Sequence, residues 1–212
     1  MALRCKQNEV ELIYFVFGHD FLNSDTQTNI TTKGTPQDTV PFLKQLVDEA
    51  YVLVRDGIAS FLSIAPVKAY NIPGNHDNTV MYDITKMNEI YYSNSKHVTI
   101  CNSPESASYA NYGNNIFGFT HDMNKALFLD NFVVGAKQWL STCEHAYLFL
   151  GHLHKAMVYE QRGILEILRI PPISGQSRWS ANDKQFPDVE KRTQMFIVDK
   201  ERGMESTINI IP

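Results

Sequence analysis

The chain has 212 residues, enough for one domain (1–212) with a sizeable core, and its hydrophobic (43%) and charged (20%) fractions are those of an ordinary globular protein. A net charge of −4 and a pI near 6.0 exclude a strongly basic nucleic-acid binder, though a local basic groove or bound metal ions can still hold phosphate. Cys5, Cys101 and Cys143 are scattered and lack C-x-x-C spacing. This argues against a disulfide framework or a structural zinc site and fits a reducing cytosol.

In chain order, ELIYFVF (11–17) is a short apolar run ending at Gly18. It predicts a central strand covered on both faces, and it is too short to span a membrane. The polar stretch 19–38 is long for a simple connection, and such loops tend to be functional. A helix is expected from Asp38 as N-cap, with Pro41 in its first turn and Gly57 near its end. Its apolar face would carry Phe42, Leu43, Leu46, Val47, Ala50, Leu53 and Val54.

VKAYNI (67–72) predicts a strand and residues 78–93 a helix. Three short strands follow at 97–101, 108–112 and 115–120, and then a helix over roughly 124–142 with Leu127, Phe128, Phe132, Ala136 and Leu140 on its inner side. AYLFLG (146–151) is another apolar strand. MVYEQ, LEILRI, QMFIVD and STINII complete the last third. The expected class is α/β, a layered domain whose central sheet is covered by helices.

Four strands end in turns crowded with ligand-type residues. FVFG leads to His19 and Asp20, YNIPG to Asn75, His76 and Asp77, NIFGFT to His121 and Asp122, and LFLG to His152 and His154. Of seven histidines only His97 and His145 lie elsewhere. Layered α/β domains bind ligands at the carboxyl ends of their strands. Asp, His and Asn donors together suit Mn²⁺, Fe or Zn²⁺ better than Mg²⁺ or Ca²⁺. Two such ions about 3.5–4 Å apart can clamp a phosphate, while a free imidazole protonates the leaving oxygen.

Each motif alone has a plainer reading. GNHD is also a good surface turn, GHLH can be one packed and one exposed histidine, and Asp20 can cap a turn. His121 alone reads as a satisfied strand-end histidine. Their order and their shared place at strand ends favour the metal site.

The ordered set G-x-D, GNHD, H and GHxH, running from Gly18 to His154, resembles the calcineurin-like metallophosphoesterase superfamily. The stretch 18–38, YGNNIFGFTHD, and SGQSRW with RTQMFIVDKERG are more specifically similar to phage-type members named as DNA repair exonucleases, after the nuclease subunit of SbcCD-type complexes. The resemblance implies a two-metal phosphodiesterase or nuclease acting on nucleic acid in the cytoplasm, that of the host if phage-encoded. Asp20 would bridge the metals, Asn75, His121 and His152 would hold the second ion, and His154 the first. His76 would be the catalytic imidazole and Asp77 its orienting carboxylate. Asp25 would help hold the long loop.

The family's opening D-x-H is absent, since no Asp here is followed two positions later by His. The expectation is therefore an N-terminally truncated domain whose first strand is missing. A full-length form would bind two ions, mainly Mn²⁺, and this donor set retains one. A degenerate relative would also lack the motif, and His19 could stand in for a lost ligand. The alternative function is a catalytically impaired, single-metal module with a structural or regulatory role. A homo-oligomer or a separate N-terminal segment could complete the sheet edge. Arg178, Trp179 and Lys184 in the loop 173–186 could stack a base and hold a phosphate, but a covering loop is the plainer reading.

Overall fold

The computed structural model describes residue 5 and residues 9–37, 42–122, 128–152, 159–173 and 191–211. Two compact units divide the chain, Met1–Ser108 and Tyr109–Pro212. Both mix helices with sheet, as the α/β patterning predicts. No helix among the described residues is long and apolar enough to cross a membrane.

In the first unit, β1 (Ile13–Gly18), β2 (Val67–Ile72) and β3 (Val98–Cys101) form a parallel sheet in that order. β2 has the predicted limits and is the central strand. Val67, Ala69, Tyr70, Asn71 and Ile72 are all buried. The apolar 11–17 run predicts a central strand, yet β1 pairs with β2 alone among the described residues, and only Phe17 of its side chains is buried. An apolar run reports burial but not the number of neighbours, so an edge strand tucked against a helix reads as a central one.

That helix is α1 (Leu43–Ala59). Ala50, Val54 and Ile58 make its buried stripe, one residue every helical turn. A Cβ at Gly57 would come within 2.9 Å of the Phe15 ring, so the missing side chain lets α1 approach β1. The helix starts later than expected. Its N-cap is Phe42, without a side-chain capping bond, and Asp38 and Pro41 lie outside the described residues. Leu53 and Phe42, both expected inside, are exposed. In α2 (Asn78–Tyr91), Met81 and Ile84 share the buried face with two polar residues. Thr85 Oγ donates to Met81 O at 2.6 Å and Asn88 Nδ2 to Ile84 O at 3.1 Å. These bonds back to the preceding turn satisfy the donors inside the core.

The second unit is built on a five-stranded sheet. Its strands are β4 (Ala107–Tyr112, which begins just inside the first unit), β5 (Asn115–Thr120), β6 (His145–Leu150), β7 (Tyr159–Arg162) and β8 (Leu165–Arg169), in the order β4-β5-β6-β8-β7. β5, β6 and β8 are parallel, and β7 returns antiparallel. α3 (Phe128–Ala136) links β5 to β6. Phe132 and Ala136 pack with Ile116, Ala146, Leu148, Leu150, Leu165 and Ile167 to form the core. α3 is shorter than the predicted helix. Residues 123–127, Leu127 among them, lie outside the described set, and past Ala136 the chain turns. There Trp139, Leu140 and Cys143 still cover the core edge. β9 (Thr193–Asp199) and β10 (Gly203–Ile210) form a hairpin with an irregularity between Met204 and Ser206. Tyr147 OH accepts the Met204 N–H at 2.8 Å, and Phe196 meets Phe149 with ring centroids 4.9 Å apart, which holds the hairpin on the sheet.

Candidate metal centre

Parallel pairing brings the ends of β1 and β2 level, with Gly18 opposite Ile72. The loops after them therefore start side by side, and His19 N donates to Ile72 O at 2.8 Å. A Cβ at Gly18 would overlap the Ile72 carbonyl, and its φ of +104° is in the glycine region, so only Gly fits that turn. His19 and Asp20 follow at φ 59° and 65°, left-handed conformations that strain non-glycine residues.

The GNHD loop then fixes the Asp20 carboxylate. Its Oδ1 accepts the His76 N–H at 2.9 Å, and a Cβ at Gly74 would overlap that same oxygen. Glycine is required here for close approach. Asp77 is fully buried, and its carboxylate accepts the N–H of Leu22 at 2.7 Å and of Gly74 at 3.2 Å. These bonds tie the two loops together. Beside the His76 ring the structure places Asn23, whose Oδ1 is 3.2 Å from Nδ1. Sequence reading missed Asn23, because nothing in local spacing links it to residue 76. Asp25 is occupied as a cap of α2, accepting from Thr79 N, Val80 N and Thr32 Oγ. Asn75 is half-buried in the same loop.

In the second unit Thr120 of β5 lies opposite Leu150 of β6, so His121 and His152 leave one sheet edge together. Gly151 N donates to His121 O at 3.1 Å. His152 has φ 65°, a third strained position in a strand-end turn. His152 Nδ1 and His121 Nε2 are 2.9 Å apart, with the rings edge to face. Two nitrogens each about 2.0–2.1 Å from one ion, at angles between 90° and tetrahedral, lie roughly 2.9–3.3 Å apart. The pair therefore fits two ligands of one ion. In metal-free protein the same separation accommodates one shared proton. Asp122, which the sequence places in this turn, has Oδ2 3.9 Å from His152 Nε2. His154 lies outside the described residues, as do Arg178, Trp179 and Lys184.

Among the described residues, the donors suited to a divalent ion are Asp20 in the first unit and His121 and His152 in the second. Carboxylate and imidazole together fit Mn²⁺, Fe or Zn²⁺.

No protein-family model and no curated protein sequence matches the chain. Among solved structures it is similar to Vps29 from Entamoeba histolytica. A single mutant aligns over 93% of this chain and 98% of that one, with 12% identity and a TM-score of 0.42. The wild type complexed with Zn²⁺ aligns over 92% and 98%, with 13% identity and a TM-score of 0.41. Vps29 from Chaetomium thermophilum aligns over 93% and 94%, with 11% identity and a TM-score of 0.34. At these values the likeness assigns no activity to this chain.

Proposed function

We propose that the chain is a metal-dependent phosphoesterase, and more narrowly a phosphodiesterase or nuclease using Mn²⁺. The observation that carries this reading is the His121–His152 pair, whose ring nitrogens converge to 2.9 Å at the carboxyl edge of the sheet. A bound divalent ion would supply Lewis-acid polarisation of a phosphoryl oxygen and activation of the attacking water. Asp20 is the carboxylate donor, aligned by the His76 N–H. Asn75 would contribute an amide oxygen, and His154, which lies outside the described residues, would add a further imidazole. His76 keeps its ring for proton transfer to the leaving oxygen, with Asn23 at Nδ1 limiting its rotation. Asp77 acts indirectly, by locking the loop that carries His76.

This reading requires the Asp20 group and the His121–His152 pair to serve one centre. A double-mutant cycle tests that requirement. Mn²⁺ affinity is measured by electron paramagnetic resonance for Asp20→Asn, His152→Ala and the double variant. One shared ion predicts losses that are far from additive. Independent, additive losses would sink the shared centre. Hydrolysis of bis-p-nitrophenyl phosphate with Mn²⁺, lost in His76→Ala while Mn²⁺ still binds, would establish the enzyme. DNA and RNA substrates would then separate a nuclease from other phosphodiesterases.

The second reading is a single-metal module with a structural or regulatory role. The absence of a D-x-H motif from the sequence favours it. It predicts one Mn²⁺ per chain, thermal stabilisation on binding, and no hydrolysis above the His76→Ala background.

A further inference from the structure

The carboxyl edge that carries His121 and His152 also carries a buried cation. Arg169 ends β8, opposite Leu150 of β6, which is itself opposite Thr120 of β5. Three parallel strands therefore finish level at Thr120, Leu150 and Arg169, and Ile170 N donates to Leu150 O at 2.7 Å to keep the last two in step. His121 follows the first end by one residue, and His152 follows the second by two. Adjacent strands are about 4.8 Å apart, so the end of β8 lies one strand from the turn that carries His152 and two strands, roughly 10 Å, from the turn that carries His121.

Arg169 is only 7% exposed. Its Nη1 has no hydrogen-bond partner, and no carboxylate pairs with it among the described residues. The exposed arginines behave differently. Arg55 pairs with Asp56, Arg162 with Glu160, and Arg202 with Asp199 and Glu205. Among the described residues, then, these guanidinium groups are paired where water would have solvated them, while Arg169 has no counter-charge where it would not. A buried cation without a counter-charge is costly, and it persists where an anion arrives to complete it. The planar fork of arginine matches two phosphoryl oxygens at once.

We infer that Arg169 receives the phosphoryl group of the substrate through a bidentate contact, and so acts as a substrate-binding residue of the site. The inference deepens the phosphoesterase reading and rests on it for the identity of the anion. Lysine at this place would keep the charge and lose the fork.

The test is calorimetric titration of the full chain with inorganic phosphate, with and without Mn²⁺, for the parent, Arg169→Met and Arg169→Lys. Acetate is the control anion, and Mn²⁺ affinity is measured separately by electron paramagnetic resonance. The expected result is phosphate binding weakened at least about tenfold in Arg169→Met and several-fold in Arg169→Lys. Mn²⁺ affinity and melting temperature should not fall. Unchanged phosphate affinity in either variant would overturn the inference, as would an equal Arg169-dependent response to acetate, or no phosphate binding by the parent. If Arg169→Met does not fold, Arg169→Lys decides alone. Mn²⁺ binding that fails while phosphate binding still depends on Arg169 would remove the metal reading and leave the anion site standing.

Discussion

The Asp25 carboxylate caps α2 from a distant loop, with Oδ1 accepting the Val80 N–H at 2.8 Å and the Thr79 N–H at 3.0 Å. Asp77, the residue at the N-cap position, makes no capping bond of its own. Its oxygens hold Leu22 and Gly74 instead. Asp25→Ala is expected to cost about 1–2 kcal/mol, the upper range for lost helix caps, because two orphan donors lose one acceptor group. Urea denaturation measures this. Mn²⁺ affinity should change little, and a loss as large as that of Asp20→Asn would make Asp25 a ligand after all.

Gly74→Ala is the sharper probe of Asp20. The new methyl group would overlap Asp20 Oδ1 and its backbone nitrogen, so the carboxylate must move. Metal affinity should drop about tenfold or more, comparable to losing a supporting contact of a ligand. Wild-type Mn²⁺ affinity in a folded Gly74→Ala protein would show that Asp20 is not a ligand.

Tyr70 contributes to the alkaline limit of the first unit, alongside Tyr92 and Cys101, whose protons burial also holds more tightly. Burial between strands, with Cys101 and Tyr14 beside it, pushes its hydroxyl well above the ordinary tyrosine range. The folded state thus holds a proton that the unfolded chain releases above about pH 10. The stability from Tyr70 is complete below that pH and is lost as pH rises further. Unfolding free energy should therefore decline above about pH 10, and Tyr70→Phe should decline less steeply. Parallel slopes for the two proteins would rule this out.

Phe132→Ala should unsettle the second unit. The ring is 2% exposed at the centre of its core, and truncations of that kind cost about 3–5 kcal/mol. Trp139 packs against this core, so its fluorescence follows the unfolding of the unit in urea. A shift in the midpoint too small for a loss of about 3 kcal/mol would mean that the site collapses around the cavity.

Much of this architecture was legible in local pattern. β2 and β5 have the limits that VKAYNI and NIFGFT predict, since short apolar runs bounded by turn residues leave little choice. Local pattern placed His121 and His152 at strand ends, while their pairing depends on β5 and β6 being neighbours in the sheet. What stayed hidden depends on long-range partners. Periodicity could not show that β1 has β2 as its one described neighbour. Asn23 beside His76 and Asp25 above Val80 join residues more than fifty positions apart. Arg169 was not among the candidate residues, because burial of a single polar residue leaves no trace in spacing.

The left-handed backbones of His19, Asp20 and His152 bear on how this sequence would evolve. Such conformations cost a side-chain-bearing residue roughly 1–2 kcal/mol that glycine avoids. His19→Gly, Asp20→Gly and His152→Gly are therefore single steps toward a more heat-tolerant chain. Directed evolution for thermal tolerance alone would enrich glycine at these strand ends and erase the donors first. A parallel selection that also demands metal binding would hold them in place, and sequencing the two surviving pools would read out which of the three positions function protects.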